Sequence, residues 1–350
     1  GGGIIGIMKM QFIHRFEEII SLENLLLAWQ EFLKGKRGRL DVQEFEFNFM
    51  DNILSLHQDL ASDYYHHGNY ESFFVNDPKR RHIHKASVRD RLIHHAIYRL
   101  LYPFFDKIFI YNSYSCRKNK GTHKAVRQFR DYCFKVSKNN MRNCWVLKCD
   151  IKKFFDSINH QVLINILKEY IPDKNTVELL ENIIHSFYSE SFLGAGLPLG
   201  NLTSQLFSNI YMNVFDQFIK HKLKAKYYIR YADDFVIVHQ DKEYLENILI
   251  KIAEFLRTEL LLQLHPNKVE IRKFSQGIDF LGYVILPHHI VLRTKTKKRM
   301  FRKLKENCRL LLIREINKEK FNQVLQSYLG ILKHCNGYNL KQKLFTQLPK

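Results

Sequence analysis

Apolar residues recur at helical spacing along most of this chain and at strand spacing in a few short places. Phe12, Phe16, Ile19, Ile20, Leu22, Leu25 and Leu26 share a helical face within residues 11–33, and residues 42–60 continue the pattern. Both stretches predict helices of an N-terminal layer. Residues 72–85 read as extended. Residues 87–105 carry Leu92, Ile93, Ala96, Ile97, Leu100 and Leu101 and predict a helix stopped near Pro103. A short apolar strand is expected at 146–149, then a helix over 158–170. Residues 194–200 form a loop punctuated by Gly and Pro, which opens a strongly apolar helix over 202–219. Residues 227–239 are apolar and β-branched on both sides of Ala232-Asp233-Asp234, the pattern of a hairpin with acids at its tip. A helix over 243–260, an extended stretch over 262–272 and a strand near 278–285 follow. Two helical patterns close the chain, one on Met300, Phe301, Leu304, Cys308, Leu311 and Leu312, the other on Phe321, Val324, Leu325, Tyr328, Leu329 and Leu332.

From residue 146 the order strand, helix, helix, hairpin, helix, strand predicts an α+β fold. Its core would be a split βαβ antiparallel sheet backed by helices, with the C-terminal helices as a separate small bundle. No internal repeat or low-complexity block interrupts the chain.

Charge changes this picture. The 350 residues carry 55 Lys and Arg against 35 Asp and Glu, a formal net charge of +20, while 45% are hydrophobic. The chain can bury a core, and its partner is expected to be polyanionic. Residues 293–350 hold 16 Lys and Arg against Glu306, Glu315 and Glu319. Residues 115–130 hold six basic residues and no acid. Such runs are commonly solvated faces, but interleaved with aromatics and aliphatics they suit a surface that tracks a nucleic-acid backbone. No apolar run approaches the roughly 18 residues of a membrane span, and no secretory leader is expected. The opening residues 1–7 read as an extension, with Met8 the expected start. The six cysteines form no C-x-x-C pair, so free thiols are expected rather than a disulfide framework or zinc site.

The chemistry resides in acids. Nucleotidyl transfer uses two divalent metals roughly 3.5–4 Å apart, stabilising the attacking and leaving oxygens. Magnesium takes hard carboxylate oxygens and keeps waters and phosphates as its other ligands. Asp150 ends the strand Val146-Leu147-Lys148-Cys149, and Asp233 and Asp234 follow Tyr231-Ala232 at the hairpin tip. Singly, such residues are more often a helix cap or a turn. Together, with the elements between them, they suit a polymerase.

Tyr231-Ala232-Asp233-Asp234 resembles the Y-x-D-D box of reverse transcriptases, and Asp150-Ile151-Lys152-Lys153-Phe154-Phe155 resembles their first catalytic motif. The resemblance covers residue 72 to the end and implies a right-hand polymerase. It divides into an N-terminal extension (1–70), fingers (71–145), palm (146–292, with 160–198 partly fingers) and a basic helical thumb (293–350). It implies that Asp150, Asp233 and Asp234 hold two Mg2+ ions, with Mn2+ able to substitute, and that the Ile151 carbonyl is a further ligand. Phe155 would lie beneath the incoming sugar and exclude a 2′-hydroxyl; the bland reading is core packing. Arg80-Arg81-His82-Ile83 and Val88-Arg89-Asp90-Arg91 resemble the fingers motif that holds the triphosphate, through Arg81 and Arg89. The motif Gly196-Leu197-Pro198-Leu199-Gly200-Asn201-Leu202-Thr203-Ser204-Gln205 resembles the loop-to-helix segment, with Leu199, Gly200 and Gln205 at the nucleotide. In it Gly200 would let backbone approach the nucleotide. His265-Pro266-Asn267-Lys268 resembles the segment whose lysine protonates pyrophosphate, and Leu281 and Gly282 of Phe280-Leu281-Gly282-Tyr283 would grip the primer.

The run from Leu199 to Gln205, with Asp90-Arg91-Leu92-Ile93-His94-His95-Ala96 and Asn112-Ser113-Tyr114, resembles diversity-generating retroelement enzymes, although an acid is common where this chain has Asn112. That subtype implies error-prone copying at template adenines, an RNA template and RNA/DNA hybrid, dNTPs, a small basic accessory protein and no membrane. The setting would be cytoplasmic, prokaryotic or phage-encoded. A phage-defence or retron-like enzyme is the nearest alternative. An inert RNA-binding scaffold is the alternative of another class, and a membrane-surface protein a third.

Overall fold

The computed structural model describes residues 10–77 and 79–347. The readings for residues 1–8 lie outside the described residues, as do the last three residues of the basic tail.

Four helices open the fold: α1 (Phe16–Ile20), α2 (Leu22–Phe32), α3 (Leu40–Phe47) and α4 (Phe49–Ala61). Ser21 separates the first two by capping α2, its hydroxyl accepting from the Asn24 N–H. The strands β1 (Glu71–Val75) and β2 (Arg81–Lys85) pair antiparallel as a ribbon, β1 exposed and β2 largely half-buried. The next helix, α5 (Val88–Ile108), does not stop at Pro103 but runs through it. The missing N–H and ring clash cost about 3 kcal/mol. Burial of Leu101, Tyr102 and Phe105 on the same helix, at about 1.5–3 kcal/mol each, offsets that.

Residues 115–130, which read as a basic run, contain most of a helix that the sequence reading left out, α6 (Thr122–Ser137). Its buried stripe is Ala125, Val126, Phe129, Cys133 and Val136. After β3 (Trp145–Cys149) come α7 (Phe154–Ser157), α8 (His160–Tyr170), a second unforeseen helix α9 (Lys174–His185), and α10 (Leu202–Gln217). The expected hairpin is β4 (Tyr228–Tyr231) and β5 (Asp234–His239), followed by α11 (Lys242–Glu259) and β6 (Glu270–Lys273).

The central sheet has the order β4-β5-β3-β6 and is antiparallel throughout. Both of its faces are covered, which is why its strands read as continuous apolar runs. Leu147, Cys149, Tyr228, Phe235 and Ile237 join one core with the N-terminal layer, α5, α8, α10 and α11. Val146, Ile229, Val236 and Val238 join a second core with α6 and the C-terminal elements.

The single strand expected near 278–285 is a hairpin, β7 (Ile278–Phe280) and β8 (Tyr283–Ile285), extended by β9 (Ile290–Leu292). Leu281 and Gly282 both take positive φ, 50° and 89°, and so make the tight turn that reverses the chain. The tail forms three helices rather than two: α12 (Thr294–Leu312), α13 (Lys318–Leu332) and α14 (Tyr338–Gln347). They are not a separate bundle. Met300, Leu304, Phe321, Leu325 and Leu332 share one core with Phe129, Phe280 and Tyr283. All six cysteines are free. No helix among the described residues is long and apolar enough to cross a membrane.

Candidate active site

Strand register brings the acids together. Cys149 lies opposite Phe235 in the β3–β5 ladder, so the next antiparallel step sets Asp150 opposite Asp234. Such neighbours have Cβ atoms about 4.5–5.5 Å apart. Tyr231 pairs with Asp234 across the β4–β5 hairpin, leaving Ala232 and Asp233 as its two-residue tip. Ala232 has φ 54°, the left-handed conformation such a tip requires.

Three carboxylates so placed repel one another. Burial pushes Asp234 up to about 7, and Asp233 and Asp150 push in the same direction. Asp233 is raised by burial and by Asp150. Lysines partly offset this: Lys268 and Lys79 act on Asp233 and Lys148 and Lys268 on Asp234, and Lys268 Nζ lies 2.8 Å from Asp150 Oδ1. The extended segment before it is tied to the same strand end. The His265 N–H donates to the Asp150 carbonyl at 2.8 Å, the Lys152 N–H to the Gln263 carbonyl at 2.8 Å, and Ile151 bridges to Leu264. The Ile151 side chain is buried.

Phe155 sits half-buried in α7, and its carbonyl accepts from the Leu197 N–H at 2.8 Å. That bond joins the α7 turn to the 194–200 loop. The loop in turn lies along β2: the His84 N–H donates to the Leu199 carbonyl at 3.0 Å, and the Asn201 side chain to the His84 carbonyl at 2.9 Å. Gly200 has φ 111°, and a Cβ there would meet Ile83 Cγ2 at 2.9 Å. The close approach that this glycine visibly serves is to β2. Gln205 lies half-buried in the first turn of α10.

The two arginines expected near the triphosphate part company. Arg81 opens β2 and is exposed. Arg89 turns into the N-terminal layer, where its guanidinium meets Asp59 Oδ2 at 2.5 Å and lies over the Tyr65 ring. The structure does not join Arg89 to the carboxylates, because Asp59 supplies the partner that a half-buried charge needs. The loop after β1 faces the basic tail: Asp77 pairs with Lys303 of α12 at 2.5 Å and lies 3.8 Å from Arg299. The Gly282 carbonyl accepts from the Arg293 N–H at 3.0 Å, tying the β7–β8 turn to the entry of α12.

Two further residues at the site escaped sequence reading. Arg230 in β4 and Asp216 in α10 form a bidentate ion pair, 2.7 and 2.8 Å, with neither side chain exposed. The available signal was a charge inside each of two otherwise apolar stretches, Tyr228-Ile229-Arg230 and Val214-Phe215-Asp216.

Among the described residues no set of three or more His, Cys, Asp or Glu is gathered closely enough to hold a metal ion by itself. Magnesium suits an open set of this kind, since it binds through one or two carboxylates and keeps water and phosphate ligands. The donors here are hard oxygens, and burial together with mutual repulsion holds the Asp233 and Asp234 carboxyls above the ordinary carboxylate range.

A family model described as reverse transcriptase (RNA-dependent DNA polymerase) matches residues 76–285. A Saccharomyces cerevisiae protein named for COX1/OXI3 intron 2 is 23% identical over 90% of this chain and 43% of its own length. The group II intron-encoded protein LtrA of Lactococcus lactis is 23% identical over 78% of this chain and 57% of its own. The chain thus spans about half the length of these relatives. A solved apo telomerase from Candida tropicalis matches 70% of this chain and 60% of its own at 14% identity, with a TM-score of 0.47, too loose a likeness to carry an argument.

Proposed function

Because the chain belongs to the reverse transcriptase (RNA-dependent DNA polymerase) family, we propose that it extends a primer on an RNA template, joining dNTPs into cDNA. The observation that carries this reading is the meeting of Asp150, Asp233 and Asp234 at adjacent strand ends. Divalent metal, when bound, would stabilise the attacking and leaving oxygens of the transfer. Asp150 and Asp233 would hold both ions, with Asp234 and the Ile151 carbonyl assisting; Mg2+ is the expected metal and Mn2+ its substitute.

The other residues have roles that follow from the same reading. Lys268 lies within reach of the carboxylates and would protonate the departing pyrophosphate. Phe155 would lie under the sugar and exclude a 2′-hydroxyl, and Arg81 would meet the triphosphate. Leu281 and Gly282 would press on the primer from their turn. In subdomain terms, 71–145 would be fingers, 146–292 palm and 293–350 thumb, the last laying its basic helices along the RNA/DNA hybrid. The test is RNA-templated primer extension with dNTPs and Mg2+. Incorporation only with the metal supports the reading; primer left unextended under all metal conditions overturns it.

A narrower reading rests on Leu199, an aliphatic residue where the resemblance would place the glutamine of most reverse transcriptases. Without that amide, recognition at the loop rests on shape, and shape discriminates less than hydrogen bonds do. We infer that the chain copies its template with errors at adenines, as part of a diversity-generating retroelement with a small basic accessory protein. Sequencing cDNA made from its own flanking RNA tests this: changes clustered at template adenines support it, and evenly spread changes contradict it. A Leu199→Gln enzyme should misincorporate less opposite adenine than the parent.

A further inference from the structure

Behind the Ala232-Asp233 tip lies a charge that the proposed chemistry does not use. Arg230 is among the largest fully buried side chains in the protein. A guanidinium has five N–H donors and no acceptor, and burying one is costly unless each finds a partner. Here all five do. Nε donates to Asp216 Oδ1 at 2.8 Å, and Nη2 donates to Asp216 Oδ2 at 2.7 Å and to Ser113 Oγ at 3.0 Å. Nη1 donates to Asn209 Oδ1 at 3.3 Å and to the Ala232 carbonyl at 3.2 Å. Asp216 takes a third bond from the Tyr228 hydroxyl at 2.7 Å. The backbone of Arg230 is fixed as well: its N–H donates to the Asn112 carbonyl and its carbonyl accepts from the Tyr114 N–H, both at 3.0 Å.

Four of those five bonds hold the arginine itself. The fifth reaches forward to the tip. The Ala232 carbonyl belongs to the peptide that links Ala232 to Asp233, so holding it fixes Ala232 ψ and Asp233 φ together. Those two angles set the direction in which the Asp233 Cα–Cβ bond leaves the tip. Ala232 is already in the left-handed region, where few L residues settle without support. Stability alone is a weak reason for such a pair, because hydrophobic replacements of a buried ion pair are often as stable or more so.

We propose that Arg230, with Asp216 as its counter-ion, is a positioning residue that holds the Ala232–Asp233 peptide so that Asp233 faces Asp150 across the metal site. The proposal rests on the polymerase reading for its consequence, but not for its test. Partners that orient ligands from behind typically change metal affinity by about 10–100-fold when removed.

Three chains are compared: the parent, the double variant Arg230→Met with Asp216→Leu, and Arg230→Lys. The double variant removes both charges at similar volume, so the fold keeps its core while the tip loses its brace. The lysine variant keeps the charge beside Asp216 but cannot span all the acceptors. Mn2+ binding is read from the loss of the free-ion paramagnetic signal, which needs no turnover, and melting temperature reports folding. We expect both variants to melt near or above the parent, or for lysine slightly below it, and to bind Mn2+ about 10-fold more weakly. In primer extension kcat should fall, with the KM for dNTP little changed and the half-saturating Mg2+ raised. A variant that remains folded with the parent's Mn2+ affinity and kcat overturns the proposal; either of the two suffices should the other fail to fold. A parent that binds Mn2+ more tightly than its folded variants, yet makes no cDNA, would sustain the positioning role and overturn the polymerase reading.

Discussion

The hairpin that carries Asp233 stands between two ion pairs of opposite character. On its open side Lys268 meets Asp150, the lysine side chain 41% exposed and the aspartate 10%. Behind it Arg230 meets Asp216, and neither is exposed at all. In the first pair the lysine reaches water while the aspartate is buried, so the lysine can give way to an ion or a phosphate more cheaply than a dry partner could. The second is dry, and its partners have nowhere else to go. The site therefore combines a replaceable cation in front with a fixed one behind, and only the front is free for chemistry.

Removing one cation from each pair should break them very differently. Arg230→Met alone strands Asp216 in the core and should cost on the order of 3–5 kcal/mol in urea or thermal unfolding. Lys268→Met should cost clearly less than Arg230→Met, because the lysine head reaches water and exposed pairs contribute only about 0–1 kcal/mol. Equal losses from the two would erase the distinction. In catalysis the ranking turns on proton transfer. Lys268→Met should lower kcat by about 100-fold or more at neutral pH if this lysine serves as general acid. An unchanged rate would make it a surface residue that only neighbours Asp150.

The contrast also explains what could be read in advance. The β4–β5 hairpin was legible because both faces of its sheet are buried, which leaves an unbroken apolar pattern on either side of the acids. The α+β class followed from the order of such elements. Arg230 and Asp216 were not legible, since each is a lone charge in an apolar stretch and the bond between them forms only when α10 packs on β4. The α6 helix was hidden for the opposite reason: its exposed basic residues outweighed the buried stripe from Ala125 to Val136 in a reading led by charge. Pro103 suggested a stop that the buried Leu101, Tyr102 and Phe105 override. The β7–β8 turn was missed because Leu281 carries no turn signal of its own.

Two smaller effects sharpen the front of the site. Phe155→Val should relax the preference for deoxynucleotides by about 10–100-fold, the range for one altered apolar contact, measured as the ratio of kcat/KM for dNTP and rNTP. A ratio that does not move would return Phe155 to core packing. The carboxylates give a pH signature in the metal-free protein. Asp234 is raised to about 7 when folded, so the folded state holds its proton more tightly than the unfolded chain does. Its stabilising contribution is full below the ordinary carboxylate range and is lost as pH rises through about 7. The melting temperature of metal-free parent should fall over that interval more than that of Asp234→Asn, and equal slopes would contradict the assignment.

The central claim is that these three carboxylates make the chain a metal-dependent polymerase. Its most direct test is primer extension on RNA by the parent beside a variant carrying Asp233→Ala and Asp234→Ala, both checked for folding by melting. The account predicts Mg2+-dependent cDNA from the parent and none from an equally folded variant. Equal extension by the two would contradict it.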